Sequence, residues 1–201
     1  MIPINLAFED ILSESVLKKI IFHSGIPYKV CNCYIKDGFG YLKKTIKGFN
    51  NGAKAIAYLV LTDLDNGECA PGLIAEWLPY PRHPNLLFRV AVREVEAWIL
   101  ADRVNFSKFL GIKEDLIPTP ADNISDPKQF LIELTKRSRK RSLKDDIVPR
   151  KGSTAKQGPN YNEPLINFVN SFWDVELARH NSPSLEGTVR AIETFEFHNY
   201  R

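Results

Sequence analysis

The residues best suited to chemistry are Asp63 and Asp65, at the end of the apolar run Ala57-Tyr-Leu-Val-Leu-Thr-Asp-Leu-Asp. Side chains two apart on a strand point the same way, and in an open α/β sheet ligands sit at the carboxyl ends of the strands. Two carboxylates so placed repel each other, and a hard divalent cation with oxygen ligands relieves that repulsion. The plainer reading is a turn, because Asp65-Asn66-Gly67 is good turn chemistry by itself. From the aspartates alone the two readings stand level. Glu9 follows the first β-prone run as the aspartates follow the third, so adjacent parallel strands would bring all three carboxylates to one edge as an acidic metal pocket. Its plainer reading is a carboxylate at a helix N-terminus, favoured by the macrodipole, with Asp10 or Ser13 as the cap.

Positioning these residues requires alternating strands and helices. Ile2 to Phe8 is β-prone, and Val16, Leu17, Ile20 and Ile21 fall at helical spacing before Gly25 as a stop. Tyr28 to Ile35 reads as a strand, Tyr41 to Phe49 as a helix, and Ala53 to Thr62 as a buried strand. Leu86 to Val92 is extended, and Glu94 to Leu110 reads as one helix with Val95, Trp98, Ile99 and Phe106 on its apolar face. This alternation predicts an α/β fold with a central, mostly parallel sheet and helices on both faces. After Leu110 come Pro-rich turns, a helix from Lys128 to about Arg141, and helices near Leu165 to Trp173 and Leu185 to Phe195. Residues 1–115 are expected to form the α/β core and 116–201 a mainly helical extension packed on it.

Composition narrows the classes. The chain has 201 residues, 44% hydrophobic and 25% charged, an ordinary globular balance. No apolar run approaches the roughly 20 residues that span a bilayer, and no basic-then-apolar leader opens the chain. A cytoplasmic protein without membrane contact is the expectation. Three cysteines make an odd count without zinc spacing, so they read as reduced thiols. The four histidines are scattered singly and read as surface or packing residues. A net charge of +3 is too small to imply a nucleic-acid partner without local clustering.

The order strand-Glu9, helix with Ser13-Glu14, then strand-Asp63-Leu-Asp65 resembles the Toprim domain of topoisomerases, primases and OLD-type nucleases. The segment Phe88-Arg-Val-Ala-Val-Arg-Glu-Val-Glu-Ala-Trp-Ile-Leu-Ala-Asp102, with Gly158-Pro-Asn-Tyr161 and Ser182-Pro-Ser-Leu185, is similar to a Toprim-like family of small bacterial proteins related to the OLD-type and RloB-like nucleases. The resemblance covers most of the chain. It implies a Toprim-like fold, Mg2+ or Mn2+ held by Glu9, Asp63 and Asp65, phosphodiester hydrolysis of DNA or RNA, and a role in phage defence with an ATPase partner. A homo-oligomer stays open. The chain departs from the Toprim pattern in having Asp10 where glycine is common and Gly67 where many members have a third aspartate. Glu94 or Glu96, at a strand-to-helix junction, is then the candidate to complete the catalytic and metal shell. Favourable charge in a helix first turn explains either one as well.

The cations Lys136, Arg137, Arg139, Lys140, Arg141, Lys144, Arg150, Lys151 and Lys156 form a basic segment interrupted by Asp145 and Asp146. A solvated helix face and loop is the usual meaning of such a run. Beside serines, glycines and backbone donors it also suits phosphate contact without base reading, which the Toprim resemblance favours. Two other classes compete with a nuclease. One is a non-catalytic or conditionally active regulatory subunit bound to an ATPase. The other is a haloacid-dehalogenase-like phosphatase with Asp63 as nucleophile, which lacks the usual threonine after Asp-x-Asp and a later Gly-Asp-x-x-x-Asp.

Overall fold

Asp10 starts the first helix in the computed structural model, which describes residues 1–35 and 39–199. Its extended backbone and a carboxylate accepting from Ser13 N at 2.8 Å cap helix α1, Ile11–His23. Ser24 and then Gly25, at φ +66°, end it. The contacts divide the chain into two compact units, Met1–Val92 with Gly187–Arg201, and Arg93–Glu186.

The first unit holds strands β1 (Ile2–Phe8), β2 (Tyr28–Ile35), β3 (Ala57–Asp63) and β4 (Leu86–Ala91), with helices α1, α2 (Phe39–Gly52) and α3 (Ala70–Trp77) between them. All pairings are parallel and the order is β2-β1-β3-β4. The chain goes from β1 outward to β2, then crosses back over β1 to β3. Right-handed crossovers therefore place α1 and α2 on opposite faces, and the direction of winding changes between β1 and β3. Ala7, Tyr58, Val60, Phe88 and Val90 on one face pack against Leu42, Ile46 and Phe49 of α2 and Leu73 and Trp77 of α3. On the other face Tyr28 donates its hydroxyl to Ile192 O at 2.7 Å, and Arg89 Nε donates to Thr188 Oγ1 at 3.2 Å. The last part of a helix spanning Pro183–Glu193 therefore lies there. This is the mostly parallel, two-sided α/β sheet that strand–helix alternation predicts, and it is wholly parallel.

Helix α3 is not expected from the sequence. Pro71-Gly72 looks like a breaker, but proline fits a first helical turn, and Cys69 Sγ accepts from Gly72 N to cap it.

The second unit is helical, built from α4 (Val95–Ala101), α5 (Arg103–Leu110), α6 (Pro127–Arg137), α7 (Arg141–Ile147), α8 (Asn162–Ser171) and α9 (Val175–Arg179), with α10 (Pro183–Glu193) starting in it. Every residue of α4 is buried, so this short helix is the unit's centre. The single helix expected from Glu94 to Leu110 is broken at Asp102. That buried carboxylate accepts from Asn105 N (3.1 Å), Asn105 Nδ2 (2.9 Å) and Asp174 N (2.8 Å), ending α4 and capping α5. The helix expected to reach Arg141 stops at Arg137, and α7 starts afresh. Among the described residues no helix is long and apolar enough to cross a membrane.

Candidate metal centre at the sheet edge

Glu9 and Asp63 stand at the carboxyl ends of neighbouring strands, beside the point where the winding reverses. Crevices form there because the two flanking connections leave in opposite directions, and ligands of open α/β sheets bind in them. The register Ala7↔Val60 brings Glu9 level with Thr62. The Glu9 Oε1 accepts from the Thr62 hydroxyl and, at 3.2 Å, from Asp63 N–H. One carboxylate oxygen is thus tied to the end of β3, and both donors favour its ionised form.

The electrostatics oppose that preference. Burial raises the Glu9 carboxyl above its ordinary range; the Thr62 and Asp63 hydrogen bonds pull it back in part, and the Asp65 and Asp10 carboxylates push it up further. The Asp65 and Asp10 carboxylates thus act on Glu9 at this edge. The donors are hard oxygens, the set that Mg2+ or Mn2+ takes. They are not drawn into a closed cage, since the ligand oxygens of Glu9, Asp63 and Asp65 do not all lie within 4.8 Å of one another.

Asp65 reaches the edge by a different route from the alternation first expected. β3 ends at Asp63, Leu64 N still donates to Ala91 O at 2.9 Å, and the chain then turns with Gly67 N donating to Leu64 O at 2.8 Å. Asp65 takes a left-handed backbone, φ 49°, which aspartate tolerates better than most residues. The turn reading of Asp65-Asn66-Gly67 therefore describes the backbone, and Asp65 carries its carboxylate on that turn. The turn also accounts for Gly67. A Cβ there would lie 2.9 Å from Leu64 O and 2.8 Å from Leu64 Cδ1, so the aspartate found at this place in many Toprim proteins does not fit this turn.

Glu94 and Glu96 belong to the second unit, where both have structural partners. Glu94 has extended backbone at the N-cap of α4, and its Oε2 accepts from Lys128 N at 2.8 Å. Glu96 is only 1% exposed; it accepts from the Tyr161 hydroxyl at 3.0 Å and pairs with Lys128 Nζ at 3.5 Å. The Lys128 ammonium also lies 6.0 Å from the centre of the Tyr161 ring. The three segments that carry the family resemblance meet on α4. Tyr161 of Gly-Pro-Asn-Tyr reaches Glu96, and Ser184 of Ser-Pro-Ser-Leu accepts from Trp98 Nε1 at 2.7 Å. Trp98 is core, as its apolar spacing implies. The sequence marked Tyr161 within a resemblance segment but gave no sign that it or Lys128, 65 and 32 residues beyond Glu96, would meet that carboxylate.

The basic segment is partly neutralised locally. Lys136 pairs with Glu133 at 2.6 Å and Arg141 with Asp145 at 3.7 Å, while Lys140 Nζ lies 5.8 Å from the centre of the Phe109 ring. Arg137, Arg139, Arg150, Lys151 and Lys156 are exposed. Lys136, Lys144 and Arg150 line one open groove of about 510 Å3, with Asp145 on its wall. Exposed pairs of this kind are worth roughly 0–1 kcal/mol, so a phosphate could displace them at small cost.

Comparison with protein-family models, curated proteins and solved structures finds no match to the chain.

Proposed function

We propose that the chain is a Toprim-type nuclease that hydrolyses phosphodiester bonds of DNA or RNA with a divalent metal, as an effector in phage defence beside an ATPase partner. The observation that carries this reading is the meeting of Glu9 with the Asp63 backbone at the carboxyl ends of β1 and β3, with the Asp65 charge beside them, where the winding of the sheet reverses. The nuclease, defence and ATPase assignments come from the Toprim resemblance.

Glu9, Asp63 and Asp65 would hold Mg2+ or Mn2+, which supplies Lewis-acid polarisation of the phosphate and activation of water. Thr62 and the Asp63 N–H hold Glu9 through Oε1, leaving Oε2 for a ligand. Binding a cation requires Glu9 to be ionised, and burial disfavours its ionised form, so metal binding should weaken as pH falls. Arg139 and Arg150 are exposed cations of the basic segment suited to phosphate contact. Glu94 and Glu96 hold the second unit together through Lys128 and Tyr161.

The test is cleavage by the folded Asp63→Asn and Asp65→Asn variants with Mg2+ or Mn2+. Both should lose activity, and full activity in either removes the metal reading. If only Asp63 matters and a phosphoaspartate is trapped on it, the chain is a phosphatase. Activity that appears only on adding an ATPase partner identifies the conditionally active form.

A further inference from the structure

At the opposite ends of the same strands lies an open groove of about 580 Å3 whose lining includes Lys47, Lys54, Arg82 and His83 and, among the described residues, no acidic side chain. Lys54 precedes β3 and Arg82 and His83 precede β4, so the seven residues of β3 separate the groove from Asp63. At about 3.3 Å per residue that is roughly 20 Å. Lys47, Lys54 and Arg82 are exposed, and none makes an ion pair among the described residues. Three like charges facing one concavity repel one another, and the cheapest relief is a bound anion.

The wall of the groove is built rather than loose. Asn50, only 8% exposed, donates Nδ2 to Pro81 O at 3.1 Å and accepts from His83 N at 2.8 Å, which clamps the Pro81–His83 loop onto α2. Asn85 N donates to His83 Nδ1 at 3.1 Å. Nδ1 is thereby the acceptor nitrogen, and Nε2 carries the proton as a neutral donor. Asn85 is itself fixed, donating Nδ2 to Ala53 O (3.1 Å) and His198 O (2.9 Å) and accepting from His198 N (2.8 Å). Burial lowers the His83 pKa, and the neighbouring Lys54 and His198 lower it further, in keeping with a positive local potential.

We infer that Lys47, Lys54 and Arg82, carried on the wall that Asn50 and Asn85 fix, form a binding site for phosphate groups, separate from the carboxylate edge and independent of the nuclease reading. Ammonium and guanidinium donors match phosphoryl oxygens, which accept several charge-assisted hydrogen bonds at once. The phosphate can come from a nucleic-acid backbone or from a free polyphosphate.

Isothermal titration with inorganic pyrophosphate tests the site, with His83 ring signals followed by NMR. Wild type should bind with shifts in the His83 signals. The double variant Lys54→Gln/Arg82→Gln should bind roughly tenfold or more weakly while keeping its circular dichroism spectrum. Lys43→Gln, on α2 with Lys47 but paired with Glu76 and outside the groove, should bind like wild type. So should Asp63→Asn, whose cleavage defect belongs to the other edge. A short DNA duplex that displaces pyrophosphate names the backbone as the source; a duplex that does not displace it names free polyphosphate. No binding by wild type at millimolar pyrophosphate, or equal binding by the double variant, overturns the inference.

Discussion

Replacing Glu9 by glutamine should separate the cost of the acidic edge from its use. Thr62 Oγ1 and Asp63 N donate to the same oxygen, Oε1, so the amide oxygen of the substituted side chain can accept both bonds while the charge is lost. Burial, with help from Asp65 and Asp10, holds the Glu9 carboxyl above its ordinary value, so the folded state binds the proton more tightly than the unfolded chain. The stability this confers is present below the unfolded pKa and is lost as pH rises through the raised folded value. Without metal, wild type should therefore lose stability from pH 4 towards neutrality relative to Glu9→Gln, and the variant should be the more stable protein at pH 7.5. Metal reverses the ranking. At a Mg2+ concentration of about 100 Kd, binding stabilises wild type by about 2.7 kcal/mol, or roughly 5–11 °C in Tm for a chain of this size. If loss of one carboxylate weakens affinity about a hundredfold, the same concentration gives the variant only about 0.4 kcal/mol, a shift of roughly 1–2 °C. Thermal melts of both proteins, with and without Mg2+ at several pH values, provide the assay. A variant less stable than wild type in metal-free buffer at pH 7.5, or an equal Mg2+ shift in both, would refute the reasoning.

Gly158→Ala should destabilise the second unit severely, by about 3 kcal/mol or more in urea unfolding. Its Cβ would lie 2.1 Å from Asp146 O and 2.6 Å from Ile147 C, both backbone atoms with little room to yield; stability within 1 kcal/mol of wild type counts against the packing described. Tyr161→Phe removes a donor from the buried Glu96 carboxylate and should cost about 1.5–3 kcal/mol in the same measurement, against no change if the bond is dispensable. Replacing Arg139, Lys140 and Arg141 by serine should weaken binding of different duplex sequences equally. Each lost phosphate contact should make the slope of log affinity against log salt shallower by about 0.9, and an unchanged slope in fluorescence anisotropy assigns these cations to solvent or to a protein partner.

The parts legible in the sequence are those with a local cause. Apolar runs marked β1, β2 and β4; the strand expected from Ala53 to Thr62 is β3, which begins only at Ala57 because residues 53–56 turn after α2, and Gly25 marked the end of α1. The neighbourhood of Glu9 and Asp63 followed from parallel pairing, because residues that end adjacent strands share an edge. Asp65 shows the limit of a period-two argument: the strand stops at Asp63, and a left-handed turn carries the second aspartate. The break at Asp102 was hidden because apolar spacing runs on through it, and what stops α4 is a carboxylate bonded to Asp174, 72 residues away. First-turn charge accounted for Glu94 and Glu96 alike, with Glu94 the nearer to the strand end. Contacts far along the chain tell them apart: the Lys128 backbone N–H bonds Glu94, whereas the Tyr161 hydroxyl and the Lys128 ammonium reach Glu96.

Where a divalent ion binds decides most directly what the sheet edge does. Crystals of the wild-type chain soaked in Mn2+ should give an anomalous peak in contact with carboxylate oxygens of Glu9 and Asp63, with an Mn–O spacing in the range for hard-cation oxygen ligands, about 2.0–2.6 Å. That peak should vanish in crystals of Asp63→Asn. A Mn2+ soak that leaves the β1–β3 edge empty at saturating metal, or a peak that persists unchanged in the variant, would contradict the central claim.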